Sequence, residues 1–334
     1  MAATFRTELH LLPHPQPLGL QSRVITLGSC FAEVIGQKMQ HYKVATLVNP
    51  FGTIYNPLSL FKLIKAALNP DQEYTGQLVE RDGLWYAYDL HSAFAAPSRA
   101  ALLTQIGLQL QQTHDFLRQA DLMVFTFGTA VGYIHRETGQ LVANCHKVPQ
   151  RQFDKTLLSL SDMQHAFSEL QALLAGFNPG LRLLLTVSPV RHLKESLEGN
   201  SVSKALLRVL CHQVAQQHAG VDYFPAYELQ LDDLRDYRFY KADLIHPSEV
   251  AETYIWEKFV ARYFDAAFQL FTGQWDKVSQ ALAHRPFQPA TPAHQRFLQN
   301  TLQQLEQLHR QVDCRPEIEQ IKNQLRASQA GTIA

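Results

Sequence analysis

The stretch RVITLGSCFAEVIG, residues 23–36, contains two hydrophobic periodicities separated by a Gly-Ser-Cys sequence. A continuous apolar run at residues 24–27 is typical of a buried strand, and Gly28 permits a sharp bend at its end. Apolar residues then recur three and four positions apart, which is the spacing of one helix face. The stretch therefore predicts a strand, a tight turn at Ser29 and Cys30, and a helix.

The same alternation of strands and helices continues along the chain. Residues 121–128 and 181–189 are nearly continuous apolar runs, as expected for strands buried on both faces. Helical patterns at residues 162–175 and 199–218 follow them, and a short strand is predicted at 221–226. This order predicts an α/β fold, a three-layer α/β/α domain with a mainly parallel sheet.

Two segments interrupt this alternation with the residues of tight hairpin turns. One pivots on Asp82-Gly83 and the other on Thr138-Gly139, each between short apolar runs. From about residue 271 glutamine and proline become frequent, and residues 297–325 predict one or two amphipathic helices around Pro316. We therefore expect a catalytic domain over residues 1–270 and a helical C-terminal extension over 271–334, which is suited to pairing with a second copy or another chain.

The composition of the 334-residue chain argues against several classes of protein. Its 30 basic and 30 acidic side chains balance, and the absence of a Lys/Arg run argues against nucleic acid or an anionic membrane as partner. Four cysteines without a CxxC pair argue against a zinc cage or a disulfide framework. The sequence has no signal-peptide core near its start, no long apolar segment and no phosphate-binding glycine motif. We therefore expect a cytoplasmic protein without a metal or cofactor.

The turn at Ser29 and Cys30 has the position of a catalytic group, because ligands of parallel sheets bind beyond the carboxyl ends of the strands. A serine in this position also commonly only caps the following helix. A thiol at a helix N-terminus can be a nucleophile, although a cysteine at this position more often points into the core. A base for the serine is offered by Asp243 and His246, three positions apart before a helical segment.

An early Gly-Ser followed by a late Asp-x-x-His resembles the SGNH/GDSL hydrolase superfamily, and residues 28–32, GSCFA, resemble the signature of the GSCFA-domain family. Further blocks resemble the latter family over about residues 20–265: NPFGTIYNP (49–57), FTFGTA (125–130), ANCHKVP (143–149), TVSPVRH (186–192) and LRDYRFYKADLIHPS (234–248).

The resemblance implies a flavodoxin-like fold with Ser29 as nucleophile and Asp243 and His246 as its base pair. It also implies an oxyanion hole built from the Ser29 amide, the Gly52 amide and an asparagine from a third block. The sequence departs from this pattern because Gly128-Thr129-Ala130 lacks that asparagine, so Thr129 or Asn144 is the candidate third donor.

Three other residues are candidate substrate contacts: Asn49, His146 and Arg191. Together these expectations describe a serine esterase acting on a small-molecule or carbohydrate ester. An O-acyltransferase with the same triad, or a degenerate binding protein that kept the fold, remains an alternative.

Overall fold

The computed structural model describes residues 6–288 and 291–330, with the side chains of 195, 329 and 330 excluded. The predictions for residues 1–5, 289–290 and 331–334 lie outside this part of the chain. Contacts divide the protein into two compact units. The first unit consists of Met1–His10, Ser22–Met39 and Ala45–Phe259. The second unit consists of Leu11–Gln21, Gln40–Val44 and Val260–Ala334. The boundary that the sequence suggested, at residue 271, lies within a helix of the second unit.

A five-stranded parallel sheet forms the centre of the first unit. Its strands are β1 (Arg23–Gly28), β2 (Ala45–Val48), β6 (Leu122–Phe127), β10 (Arg182–Val187) and β11 (Val221–Tyr223). They lie in the order β11-β10-β6-β1-β2, and β1 pairs in parallel with both β2 and β6. Counted along the chain, this is the doubly wound order 2-1-3-4-5. The α/β prediction is thus confirmed.

Five helices lie between these strands along the chain: α1 (Cys30–His41), α2 (Pro57–Leu68), α3 (Arg99–Leu117), α4 (Leu160–Phe177) and α5 (Ser196–Gln217). The short α6 (Ala226–Glu228) and α7 (Glu249–Tyr263) follow the last strand. Buried residues of α2 to α5 form one core with alternate strand residues such as Ile25 and Phe125. The intervening residue Thr26 faces α1, because a Cβ on Gly36 would meet its hydroxyl at 2.6 Å. The sheet therefore has helices on both faces.

Two small antiparallel sheets interrupt the parallel fold where the turn residues predicted hairpins. Strand β3 (Leu78–Arg81) pairs with β4 (Leu84–Ala87) through Asp82-Gly83, and β5 (Ala95–Ala96) completes that sheet. The second sheet places β7 (Val131–His135) between β8 (Leu141–Val142) and β9 (Phe153–Leu157). Both central residues of the first turn have positive φ, as this type of turn requires.

The second unit is built from α8 (Ala266–Ala283), α9 (Pro292–Leu308) and α10 (Arg315–Ala330). Pro316 lies in the first turn of α10, where its missing N–H costs no helical hydrogen bond. Buried residues of the three helices, including Trp275, Leu305 and Ile321, share one apolar cluster. Among the described residues, no helix combines the length and the hydropathy needed to cross a membrane.

Candidate active site

The turn between β1 and α1 is fixed by close backbone contacts. Gly28 has φ of 128°, and a Cβ there would lie 2.1 Å from the carbonyl oxygen of Thr126, so no larger residue fits. Its N–H donates to Asn49 Oδ1 at 2.9 Å, and its carbonyl accepts from the Ile54 N–H at 2.9 Å. These contacts place Ser29 and the start of α1 at the carboxyl end of β1.

Ser29 is completely buried, and its polar atoms have partners within the fold. Its N–H donates to the Thr126 carbonyl at 3.0 Å, and its hydroxyl accepts the Phe31 N–H at 3.3 Å. The second contact is that of a helix cap. Within the described residues no hydrogen bond joins the Ser29 hydroxyl to His246. The nucleophilic role of Ser29 stays a prediction.

Asp243 and His246 are brought together as their spacing suggested. Asp243 Oδ2 lies 2.7 Å from His246 Nδ1, while Asp243 Oδ1 accepts the N–H groups of Ile245 at 2.9 Å and His246 at 3.0 Å. These backbone N–H groups, followed by the His246 side chain, lower the pKa of Asp243 to about 2. The carboxylate fixes the imidazole ring through Nδ1, and in the described part of the chain Nε2 has no hydrogen-bond partner.

His192 follows the end of β10 and interacts electrostatically with His246. Its ring meets Tyr55 edge-on, with centroids 5.0 Å apart, and its Nε2 is buried without a partner in the described structure. Burial, followed by the positive charges of Lys204, His246 and Lys194, lowers the pKa of His192 to about 4. The His192 imidazole is therefore neutral near pH 7. Among the polar residues that follow β10, the sequence favours Arg191 over His192 and Lys194.

Lys204, on α5, is a buried cation that was not predicted from the sequence. Its side chain is 1% exposed, and its ammonium donates to the Ser188 carbonyl at 2.7 Å, just beyond the end of β10. Burial lowers its pKa to about 7, and the electrostatic interaction with Cys30 acts in the opposite direction. The available signal was a lysine on the apolar face of a helix, three and six positions before the buried Leu207 and Leu210.

Cys30 is the first residue of α1 and is only partly buried. Burial raises the pKa of its thiol, while its own N–H, the Phe31 N–H and the charge of Lys204 oppose that rise. The thiol also interacts electrostatically with Tyr55. Cys30 therefore lies near Tyr55 and Lys204.

The two backbone donors suggested for an oxyanion already have partners in this conformation. The Ser29 N–H donates to Thr126, as described above, and the Gly52 N–H donates to the Asn49 carbonyl at 2.7 Å. Gly52 has φ of 71°, and a Cβ there would lie 2.3 Å from His91 Cβ, which explains the glycine. An oxyanion would have to displace these carbonyl partners.

The two side-chain candidates for the third donor are also engaged. Thr129 Oγ1 accepts the Val131 N–H at 3.1 Å and lies 3.0 Å from Ser203 Oγ. Asn144 Nδ2 donates to Ser92 Oγ at 3.2 Å, while its Oδ1 accepts the His146 N–H at 2.9 Å. The assignment of Thr129 or Asn144 to the oxyanion hole therefore stays a prediction.

Asn49 offers a donor without a partner beside the β1–α1 turn. Its Oδ1 holds the Gly28 N–H, and its Nδ2 is buried without a hydrogen-bond partner among the described residues. An amide nitrogen supplies two donors, and leaving both unpaired in the interior is costly. Asn49 is thus well placed as a hydrogen-bond donor to a ligand oxygen.

His146, another candidate substrate contact, is packed inside the hairpin region. Its Nε2 lies 2.8 Å from the Ala87 carbonyl, its Nδ1 3.1 Å from Ser92 Oγ, and its ring stacks on Tyr86. Burial lowers its pKa. Both ring nitrogens are engaged, and within the described structure no hydrogen bond or ring contact joins His146 to Ser29 or His246.

Arg191 borders a cavity and also contacts the Asp243–His246 turn. Its Nη1 donates to the Leu244 carbonyl at 3.3 Å, and its guanidinium lies over the Tyr240 ring at 4.3 Å. The cavity has a volume of about 380 Å³, and its lining includes Arg191, Tyr227, Arg235, Asp236, Tyr237 and Tyr240. The cavity combines aromatic rings with charged groups, which suits a polar ligand.

The described residues contain no group of three or more His, Cys, Asp or Glu side chains arranged to hold a metal ion. All four cysteines are free: Cys30, Cys145, Cys211 and Cys314.

Comparison with known proteins identifies two matching families. The GSCFA family matches residues 23–259, and the family described as GSCFA domain protein, C-terminal domain, matches residues 275–327. No curated protein matches the chain. The first match covers the central sheet, the β1–α1 turn and the Asp243–His246 pair, which is well over half of the sequence. The chain therefore belongs to the GSCFA family and also contains that family's C-terminal domain.

Proposed function

We propose that this protein is an ester hydrolase that uses covalent catalysis at the carboxyl end of its parallel sheet. The proposal rests chiefly on the 2.7 Å contact between Asp243 Oδ2 and His246 Nδ1, which leaves His246 Nε2 open. In a catalytic triad, the general base is an imidazole that a carboxylate holds on one side and that is open to the nucleophile on the other. The resemblance to SGNH/GDSL hydrolases supports the same reaction.

In this reaction His246 Nε2 takes a proton from the nucleophile at the β1–α1 turn, and the nucleophile attacks the ester carbonyl. Asp243 stabilises the imidazolium that forms. His246 then returns the proton to the departing alcohol, and an activated water releases the acyl group from the protein. Ser29, the residue that the resemblance assigns, and Cys30 are the two nucleophiles available at the turn. The reaction requires no cofactor.

The cavity beside the Asp243–His246 turn is the proposed site for the alcohol part of the ester. Arg191 and the tyrosine rings provide hydrogen bonds and flat apolar surfaces, which suit a carbohydrate or a similar polar small molecule. A small acyl group such as acetyl follows only from the resemblance to SGNH/GDSL hydrolases. If a second alcohol occupied the cavity in place of water, the same groups would perform acyl transfer.

A binding protein that has lost efficient catalysis is the second candidate. All four candidate oxyanion donors, the Ser29 and Gly52 amides and the Thr129 and Asn144 side chains, have internal hydrogen-bond partners. Losing one such donor typically costs about 10²–10³ in rate, so this arrangement favours a binding protein. Partner binding through the C-terminal helices and a cytoplasmic location remain part of either proposal.

The test is turnover of a p-nitrophenyl acetate-to-butyrate series by the full chain and by His246→Ala. The expected result is a loss of about 10²–10⁴ in kcat/KM, because that is the usual contribution of a general base. His165→Ala is the matched control, since His165 is an exposed histidine on α4 whose nearest ionic partner is Glu169. Equal rates for all three folded proteins would reject the hydrolase and favour the binding protein.

A further inference from the structure

The cavity that Arg191 borders is connected to the turn that carries His246. Most of its wall comes from residues 227–240, and Arg191 completes it from the loop that follows β10. The Arg191 N–H donates to the Ile245 carbonyl, and its Nη1 donates to the Leu244 carbonyl, both at 3.3 Å. The cavity volume of about 380 Å³ lies at the lower end of the range for small-molecule sites. A small ligand held by Arg191 is therefore held close to the base.

Arg191 has no carboxylate partner among the described residues. Its guanidinium lies over the rings of Tyr240 at 4.3 Å and Tyr237 at 5.3 Å, and its hydrogen-bond acceptor is the uncharged Leu244 carbonyl. These contacts hold the guanidinium plane in place and leave most of its five N–H groups for another acceptor. Arginine binds carboxylate and phosphate groups through two parallel hydrogen bonds. Arg191 is thus a preformed site for an anionic group.

The two carboxylates in the wall of the cavity are paired with other arginines. Asp232 Oδ1 lies 3.5 Å from Arg235 Nη1, and Asp236 Oδ2 lies 3.7 Å from Arg238 Nε. An anion bound at Arg191 therefore meets no unpaired carboxylate in this wall.

A second, independent observation is a buried acceptor in the same wall. Gln230 lines the cavity and is 1% exposed, and its Nε2 donates to the Phe239 carbonyl at 3.2 Å. Because a carbonyl oxygen can only accept, this hydrogen bond fixes which end of the amide is the nitrogen. The other end, Oε1, is buried and has no hydrogen-bond partner in the described structure. An unsatisfied buried acceptor costs free energy, which a hydroxyl group of a bound ligand would recover.

We propose that this cavity binds an acidic sugar, with Arg191 holding its carboxylate or phosphate and Gln230 accepting a hydrogen bond from one of its hydroxyl groups. This inference rests on the hydrolase proposed above, and it identifies the alcohol part of the ester as an acidic carbohydrate. Both residues determine specificity. A neutral sugar would leave Arg191 without an anion, and an anion without hydroxyl groups would leave Gln230 without a donor.

The first test measures binding and requires no catalysis. Glucuronate, glucose 6-phosphate and glucose are titrated into the full chain, and their dissociation constants are obtained from ligand-observed NMR. We expect at least one of the two acidic sugars to bind about tenfold or more tightly than glucose, because hydrogen bonds between charged groups are the stronger ones. The preferred sugar shows whether a carboxylate or a phosphate is recognised. Equal binding of all three sugars, or binding of none, would overturn the inference.

Variants with unchanged circular dichroism spectra assign the preference to its residues. Arg191→Gln should bind acidic sugars and glucose equally weakly, whereas Arg191→Lys, which keeps the charge, should retain part of the preference. Gln230→Met should weaken the binding of acidic and neutral sugars by a similar factor. Arg136→Gln is the matched control, because Arg136 is an exposed arginine that pairs with Asp154 and does not line the cavity. A preference that persists in Arg191→Gln would overturn the inference even if Gln230→Met does not fold.

The second test compares the hydrolysis of acetylated glucuronate, acetylated glucose 6-phosphate and acetylated glucose by the release of acetate. Wild type is expected to have the higher kcat/KM for an acidic ester, and Arg191→Gln is expected to remove this difference mainly through KM. Equal kcat/KM values for the three esters in wild type would overturn the inference while leaving the hydrolase intact. Tight binding of an acidic sugar without hydrolysis of any ester would support the sugar site, reject the hydrolase and favour the binding protein.

Discussion

Replacing Lys204 with methionine removes a buried charge from the site without shortening the side chain. Burial lowers the pKa of Lys204 from 10.5 to about 7. At about 1.4 kcal/mol per pKa unit, keeping this lysine protonated in the folded protein costs about 5 kcal/mol of folding free energy. Because the folded pKa is the lower one, this cost is fully present below about pH 7. It disappears as the pH rises towards 10.5, the ordinary lysine value.

Methionine removes this cost and also removes the hydrogen bond to the Ser188 carbonyl. An unpaired buried carbonyl costs about 1–3 kcal/mol. We therefore expect Lys204→Met to be about 2–4 kcal/mol more stable than wild type near pH 6. Above about pH 10, where only the lost hydrogen bond remains, it should be about 1–3 kcal/mol less stable.

The assay is urea unfolding of both proteins at several pH values from about 6 to 10, with the slope against urea compared to confirm that the same surface unfolds. The stability of wild type relative to Lys204→Met should rise by up to about 1.4 kcal/mol per pH unit across this range. Lys155→Met is the control and should follow wild type. Parallel pH curves for wild type and Lys204→Met would refute the argument that Lys204 is a buried, destabilising cation.

Three further changes test other parts of the structure. Gly28→Ala should prevent accumulation of folded protein, because the new Cβ would lie 2.1 Å from the Thr126 carbonyl oxygen. The control is Gly107→Ala, whose Cβ would enter open space on α3. This change should raise the free energy of unfolding in urea by about 1 kcal/mol. Asp243→Asn should reduce kcat about 10²–10⁴-fold with an unchanged circular dichroism spectrum, and a fall under threefold would contradict its role. Leu305→Ala should cost about 2–5 kcal/mol in thermal unfolding, and a loss under about 1 kcal/mol would contradict its burial between α8, α9 and α10.

Hydrophobic periodicity predicted most of the elements that position the site. The apolar runs at residues 121–128 and 181–189 contain β6 and β10, and the Asp82-Gly83 turn joins β3 to β4. These features are local, because strand burial and positive φ depend on the types of neighbouring residues. The contact between Asp243 and His246 is local as well, since the two residues are three positions apart in a single turn.

Contacts between distant segments could not be predicted in the same way. The lysine at position 204 was visible on the apolar face of a helix, but its approach to Cys30 depends on how α5 packs beside β10. The internal partners of the Ser29 and Gly52 amides likewise depend on the distances between strand ends and loops. The sequence indicates which residues are candidates for a site. Tertiary packing decides which of their hydrogen-bond donors and acceptors remain available to a ligand.

The division of the chain into two units also depends on contacts between distant segments. Composition changes near residue 271, yet the last segment of the second unit begins at Val260, and the unit also includes Leu11–Gln21 and Gln40–Val44. These early segments have no compositional signal, because they join the second unit only through tertiary contacts.

The most direct test of the account is the intact mass of the protein when it is quenched during turnover of p-nitrophenyl acetate. Wild type is expected to carry about one acetyl group per chain, and His246→Ala is expected to carry almost none after the same short time. That result would establish a covalent intermediate that depends on the Asp243–His246 pair. Equal acetylation of the two proteins, or none in wild type while p-nitrophenol is released, would contradict covalent catalysis at this site.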